Sequence, residues 1–221
     1  LTNNINHELK TPVHAIQACL ETVIEMGDSM SEASRKELIE KSYQNTKRLS
    51  ALLADVSIIT RMSEASDRIE VEQFNLKDTI ESVVDEVLNL YPADKYIHFD
   101  INVQDNIEIN GNEGLIESIF KNLMVNSVLH SGGNEAYLQC RKGNDGYAHI
   151  VYYDNGKGVP EEHISKIFER FYRVDKGRSR VNGGTGLGLS IVKNAVLFHK
   201  GTITASNRPM GGLRFEFTLR L

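Results

Sequence analysis

Asn182-Gly183-Gly184-Thr185-Gly186-Leu187-Gly188-Leu189-Ser190 governs the reading of this chain. Four glycines fall within six residues. Leu189, Ile191, Val192, Ala195 and Val196 then follow at helical spacing. A glycine-rich loop that enters a helix offers free backbone N–H groups and the positive end of a helix dipole, which together suit an anion such as phosphate. By itself the stretch reads equally well as a plain flexible turn. It is not a Walker A loop, since no Lys-Ser/Thr pair follows the glycines. It is not a dinucleotide fingerprint either, since no strand runs into it.

Composition narrows the field around that stretch. The chain has 221 residues, 40% apolar and 25% charged, enough for one large or two small domains. A formal charge of −5 argues against a nucleic-acid surface. No apolar run reaches the ~18 residues of a membrane span, and no signal peptide is evident. Cys19 and Cys140 lack CxxC or His-spaced partners, so reduced thiols are expected and a structural metal site is not. The chain opens inside a helical pattern without a cap, which is expected of a fragment cut from a longer chain.

Upstream, Leu9, Val13, Ile16, Leu20 and Val23 alternate spacings of four and three, a heptad seam ending near Met26. Ser31-Glu32 suits a second start, and Leu38, Leu49, Leu52, Val56 and Ile59 share a second seam. Two narrow stripes bury little alone. A hairpin that dimerises into a four-helix bundle is one solution, and a hairpin packed on its own chain is the other. Residues 63–67 read as a polar linker.

Beyond it the periods mix. Ile69-Glu70-Val71 predicts a short strand, and Asn75 caps a helix carrying Ile80, Val83, Val84, Val87 and Leu88. Ile97, Phe99, Ile101 and Val103 predict a half-buried strand, and Ile107–Ile109 a short one. Helix is expected over 113–130, a hairpin over 136–142 and 147–153, and a helical turn at Lys166-Ile167-Phe168. Leu213, Phe215, Phe217 and Leu219 alternate on the last strand. The expected fold class is α+β: the helical hairpin followed by a two-layer α/β sandwich.

Three further clusters carry chemistry. Asn122 and Asn126, four apart, share a helix face about a quarter turn from the stripe of Ile116, Ile119, Phe120 and Leu123. An amide oxygen there can ligate Mg²⁺, although two surface asparagines would look the same. Asp154-Asn155-Gly156-Lys157-Gly158 ends a strong strand. Its carboxylate can accept from an adenine amine, and it also reads as a common turn. In His7-Glu8-Leu9-Lys10-Thr11-Pro12, the seam at Leu9 and Val13 turns His7 outward, Thr11 lies one turn on, and Pro12 bends the helix.

Together these resemble the sensor histidine kinases of bacterial two-component systems, over the whole chain. Asn6 to Pro12 is similar to the H box and Asn122-Leu123-Met124-Val125-Asn126 to the N box. Asp154 to Gly158 is similar to the G1 box, Phe168-Glu169-Arg170-Phe171 to the F box and Gly184 to Gly188 to the G2 box. Phe171 to Arg180 is similar to a lid, and Gly211-Gly212 to the closing turn.

The resemblance implies a dimerisation and phosphotransfer hairpin over 1–66 and a GHKL-type (Bergerat) ATP-binding domain over 67–221. It implies that His7 accepts the γ-phosphoryl group, that Glu8 orients or deprotonates the ring, and that Thr11 places a water for dephosphorylation. Arg170 would neutralise the γ-phosphate. The nucleotide set would be Asn122, Asn126, His130, Asp154, Gly156, Gly158, Lys176, Arg178, Gly184, Thr185, Gly186, Leu187 and Gly188, with Asn126 also on Mg²⁺. ATP and Mg²⁺ are the implied cofactors. A response-regulator receiver domain and a second copy of the chain are the implied partners. Nucleic acid and membrane contact are not expected, and the implied location is the cytoplasmic part of a membrane-anchored sensor.

Two departures stand out. Leu129 occupies the position where the family commonly carries lysine, and Ser118 stands where glutamine or an acid is frequent. Two other readings compete: a dimeric signalling module that binds nucleotide but is catalytically weak, and a conformational ATPase. A polyanion beside His130 would raise its pKa, in which case ATP affinity tightens as pH falls from about 8 to about 6.5; the alternative is that His130 tucks into the helix's apolar edge and Arg170, Arg178 or Arg180 supplies the charge.

Overall fold

The first helix, α1 (Thr2–Met26), continues through Pro12. A turn closed by Ser29 N–H donating to Met26 O (3.0 Å) leads to α2 (Glu32–Glu64). Ser31 caps α2, its Oγ accepting from Ser34 N (3.1 Å), as the Ser-Glu pair foretold. Leu52 on the second seam is buried, whereas Val13, Leu20, Ile24, Ile39 and Leu53 stay exposed.

The computed structural model describes residues 2–64, 69–91, 97–174 and 184–221. These divide into two units: residues 2–57 with 184–185, and residues 58–174 with 186–221.

The second unit is a layered α/β structure. Its elements run β1 (Glu72–Asn75), α3 (Leu76–Leu90), β2 (His98–Val103), β3 (Glu108–Gly111) and α4 (Glu113–Asn126). They continue with β4 (Glu135–Lys142), β5 (Tyr147–Asp154), α5 (Glu161–Ile164), α6 (Gly188–Phe198), β6 (Ile203–Asn207) and β7 (Leu213–Arg220). The main sheet has the order β2-β4-β5-β7-β6, with β2 and β4 parallel and the other pairs antiparallel. β1 and β3 form a separate antiparallel pair.

Period-two alternation puts Ala136, Leu138, Cys140, Ala148, Ile150, Tyr152, Phe215, Phe217 and Leu219 on one sheet face. They share a core with Ile80, Val83 and Val87 of α3, Ile116, Ile119, Phe120 and Leu123 of α4, and Val192, Ala195 and Val196 of α6. Asn75 caps α3 as read from the sequence, its side chain accepting from Lys77 N and Asp78 N.

Three local expectations are corrected. The first strand is Glu72–Asn75 and not Ile69–Val71, because its partner β3 ends opposite Glu72 at Gly111. The short helix lies at Glu161–Ile164, after Pro160, and not at 166–168. The helix expected to reach 130 becomes a π-turn over Ser127–Ser131, closed by Gly132 at φ 71°.

Candidate functional site

In the first unit His7 is exposed, with 73% of its side chain open to solvent. Its Nδ1 lies 4.0 Å from Glu8 Oε1, so a small rotation brings the carboxylate into hydrogen-bond range. Glu8 Oε2 in turn faces Arg48 Nη2 of α2 at 3.4 Å. Arg48 is largely buried, with 9% of its side chain exposed, so the guanidinium anchors the acid beside the histidine. Thr11 Oγ donates to His7 O (3.1 Å), which ties the hydroxyl to the histidine's own turn. Its lone pairs remain able to accept from water.

In the second unit α4 carries a row of polar groups. Asn122 Nδ2 donates to Ser118 O (2.8 Å), and its Oδ1 lies where a Cβ on Gly188 would collide with it. Gly188 therefore lets the start of α6 close on Asn122. Among the described residues no side chain caps that start, and an uncapped helix N-terminus suits an anion. One turn further along α4, the half-buried Asn126 makes no side-chain hydrogen bond among the described residues.

That free amide fits Mg²⁺, which takes few protein oxygens and keeps waters and substrate phosphates as its other ligands. No cluster of three His, Cys, Asp or Glu side chains among the described residues offers a stronger cage. Bound Mg²⁺ would neutralise charge on a phosphate chain.

The π-turn follows. Tyr152 Oη on β5 donates to Ser127 Oγ (2.8 Å), and Ser131 Oγ bonds back to Ser127 O (2.7 Å). These bonds hold the widened turn and fix His130 on its rim. His130 is half-buried. Burial, first, and the positive charges of Lys157 and Arg173, second, push its pKa below the usual histidine value. The imidazole is therefore held neutral in the nucleotide-free protein, not poised as a cation.

Asp154 ends β5 and is 5% exposed. Its Oδ1 accepts from Gly156 N (2.8 Å), and burial raises its pKa above the ordinary carboxylate value. Gly212, at φ 97°, permits the closing turn to pass directly over Asp154, where any Cβ would meet the Asp154 carbonyl. Arg208 donates to that carbonyl (3.0 Å) and stacks on Tyr153. Asn155 ties the loop to β4 by accepting from Asn134 N and Glu135 N, both at 3.0 Å. Asn207 clamps its far side, accepting from Val159 N (3.0 Å) and donating to Val159 O (2.6 Å), beside Gly158 at φ 66°.

The two ends of the segment between the F-box and glycine-rich stretches meet where Phe171 N donates to Gly186 O (2.8 Å). Leu187 is buried, and its carbonyl accepts from Ile191 N (2.9 Å). Gly184 is partly exposed. Thr185 groups with the first unit, where its Oγ donates to Asp55 Oδ2 (2.7 Å) and burial raises the Asp55 pKa. Lys176 and Arg178 lie outside the described residues.

Contacts thus join Asn122 to Gly188, and the Asp154–Gly158 loop to Ser131 at the end of the turn that carries His130. Arg170 is placed elsewhere. With Ile59, Met62, Ser63, Asn194, Leu197 and Phe198 it lines a cavity of about 230 Å³ at the C-terminal half of α6, not its N-terminus. Sequence reading left Arg48, Asn207 and Arg208 without a role, since each acts on a residue more than 30 positions away. Lys157 was visible within its loop, yet nothing local ties it to His130.

Comparison with known proteins bears on the family and the fold. Residues 111–221 match the family model for histidine kinase-, DNA gyrase B- and HSP90-like ATPases, and residues 1–65 match the His Kinase A (phospho-acceptor) domain. The chain is 31% identical to the phosphate regulon sensor protein PhoR of Haemophilus influenzae, over 98% of this chain and 50% of that protein. It therefore spans about half the length of that relative. Among solved structures, the histidine kinase AdeS of Acinetobacter baumannii is similar at a TM-score of 0.76 and 20% identity, covering 97% of each chain. Histidine kinase ThkA, solved in complex with the response regulator protein TrrA, gives a TM-score of 0.75 at 22% identity, over 99% of this chain and 60% of that one. At these identities the solved structures speak for the fold.

Proposed function

The chain belongs to the sensor histidine kinases, and we propose that it phosphorylates itself on His7 from ATP and passes the phosphoryl group to an aspartate of a response regulator. We assign residues 1–66 to the dimerisation and phosphotransfer hairpin and 67–221 to ATP binding. The observation that carries the reading is the His7–Glu8–Arg48 arrangement: an exposed imidazole with a carboxylate 4.0 Å from Nδ1 and a buried guanidinium behind it.

The chemistry follows from the two ring nitrogens. Glu8 favours the tautomer with the proton on Nδ1, which leaves the lone pair on Nε2. Nε2 attacks the γ-phosphorus, the N–P bond forms, and the bond to the bridging oxygen of ADP breaks. The Nδ1 proton, made acidic by that bond, passes to Glu8. A regulator carboxylate then attacks the same phosphorus and the N–P bond breaks. Asp154 accepts from the adenine amine, and the α6 N-terminus with Gly186 and Gly188 receives the phosphates. Asn126 would ligate Mg²⁺, with Asn122 one turn before it on the same face of α4. Such transfers depend mainly on positioning and charge neutralisation.

The exposed Val13, Leu20, Ile24, Ile39 and Leu53 support a homodimer through the hairpin. Thr11 supports a regulator-phosphatase activity, because its hydroxyl sits one turn from His7 with acceptor capacity left for a water. Thr11→Ala should leave labelling intact and slow loss of phosphate from the regulator. Incubation with γ-labelled ATP tests the main reading: a kinase retains label on the chain, a conformational ATPase releases it, and a catalytically weak module does neither.

A further inference from the structure

The two carboxylate oxygens of Asp154 are in different situations. Its side chain points with Tyr152 to the buried face of β5, whereas Tyr153 faces the other way. Oδ1 is taken up by two backbone donors, Gly156 N at 2.8 Å and Leu213 N at 3.4 Å. Oδ2 accepts no hydrogen bond among the described residues. One oxygen thus sets the rotamer and leaves the other for a ligand's donor. Leu213 directly follows the turn that joins β6 to β7, so the carboxylate is only as well aimed as that turn is seated.

That turn, residues 208–212, closes on itself: Arg208 N donates to Gly212 O and Gly211 N to Arg208 O, both at 3.0 Å. The Arg208 side chain draws it onto the end of β5. Its Nη1 donates to Asp154 O (3.0 Å) and to Gly211 O (3.4 Å), and its Cζ lies 4.1 Å from the centre of the Tyr153 ring. Tyr153 in turn stacks on Tyr137 with ring centres 4.8 Å apart, and the Tyr137 hydroxyl donates to Glu135 Oε2 (2.7 Å). The guanidinium therefore rests on an anchored aromatic platform, on the face of the sheet away from the carboxylate.

We propose that Arg208 is a positioning residue for adenine: from the far face of the sheet it straps the 208–212 turn to the end of β5, and so aims the free oxygen of Asp154 at the base amine. This rests on the ATP-binding reading above. With the strap loosened, Leu213 N withdraws from Oδ1 and the carboxylate is free to rotate. Arg208 acts through Asp154 and not on the phosphates. Its charge also favours the ionised carboxylate, against the burial that raises the Asp154 pKa.

Titrations of the whole chain with ADP and with purine riboside diphosphate, the same nucleotide without the amine, test the proposal. Arg208→Met keeps an unbranched side chain over Tyr153 but removes the donor and the charge. Its ADP affinity should fall about fivefold, the scale of one hydrogen bond made poorly, while affinity for the amine-free nucleotide stays unchanged. Arg208→Lys keeps a cationic donor without the planar stack, so its ADP affinity should lie between those of wild type and Arg208→Met. An equal loss for both nucleotides marks general damage to the site, and undiminished ADP affinity marks no role; either result overturns the positioning of Asp154 by Arg208. Wild-type protein that binds ADP no better than the amine-free nucleotide contradicts the adenine reading of Asp154 itself, and the proposal with it.

Discussion

Arg48 of α2 reaches Glu8 of α1, with Nη2 3.4 Å from Oε2, and so helps hold the Glu8 carboxylate beside the exposed His7. The pair lies 40 residues apart in sequence. Replacing Arg48 removes the 3.4 Å contact that holds the Glu8 carboxylate toward α2. Arg48→Gln should therefore slow labelling of His7 by about 10²-fold, the lower range for a positioned general base. ATP affinity should not change. Single-turnover labelling together with nucleotide titration checks both parts, and equal labelling rates would remove Arg48 from the mechanism.

Asp154→Asn keeps an oxygen for Gly156 N but turns the other acceptor into a donor facing the adenine amine. Affinity for ATP should fall by roughly tenfold or more, as expected when a buried polar contact is reversed. Affinity for GTP, which presents a carbonyl at that position, should not fall. A competition titration of the two nucleotides distinguishes this from general damage to the loop.

His130 gives a pH dependence with a defined sign. In the nucleotide-free protein its pKa is depressed, so it carries little charge near neutrality. A phosphate chain raises that pKa, and the bound state then holds more protons than the free state. ATP affinity should increase as pH falls, in a window that opens around the ordinary histidine value of ~6.5 and extends below it. The window lies lower than the fall from about 8 to about 6.5 expected from sequence, because burial, Lys157 and Arg173 were not visible there. His130→Gln should flatten the profile between pH 7.5 and 5.5.

His199 acts on stability instead. It is buried at 5% exposure, its Nε2 accepting from Asn112 N (3.1 Å) and its Nδ1 donating to Ala195 O (2.7 Å). Burial lowers its folded pKa below the unfolded value. The unfolded chain thus binds the proton more readily, and the contribution of His199 is full above ~6.5 and lost as pH falls through the folded value. Urea midpoints at pH 7.5 and 5.5 should differ more for wild type than for His199→Gln. Equal differences would show that other groups dominate the acid loss.

Most of the second unit was legible because alternation and helical spacing act over neighbouring residues. The strands holding Phe99, Ile150 and Phe217 and the cap at Asn75 follow from such local signals. The π-turn was not legible: Ser127-Val128-Leu129-His130 continues an ordinary helical pattern. The widening is stabilised by the Tyr152 hydroxyl, 25 residues away, and by Ser131. The short helix at 161–164 did carry signals, Pro160 followed by Glu161 and Glu162, but the apolar Ile167-Phe168 pair drew the expectation downstream. Arg170 was assigned by resemblance alone, and its packing near Asn194 and Phe198 is a tertiary fact.

The central claim is that His7 accepts phosphate from ATP, and the stability of the product tests it most directly. Wild-type protein incubated with γ-labelled ATP and Mg²⁺ should acquire one label, lost in acid and retained in alkali, as a phosphoramidate is. His7→Gln should bind ATP as well as wild type and acquire none. Label that survives acid, or that persists in His7→Gln, would contradict the account.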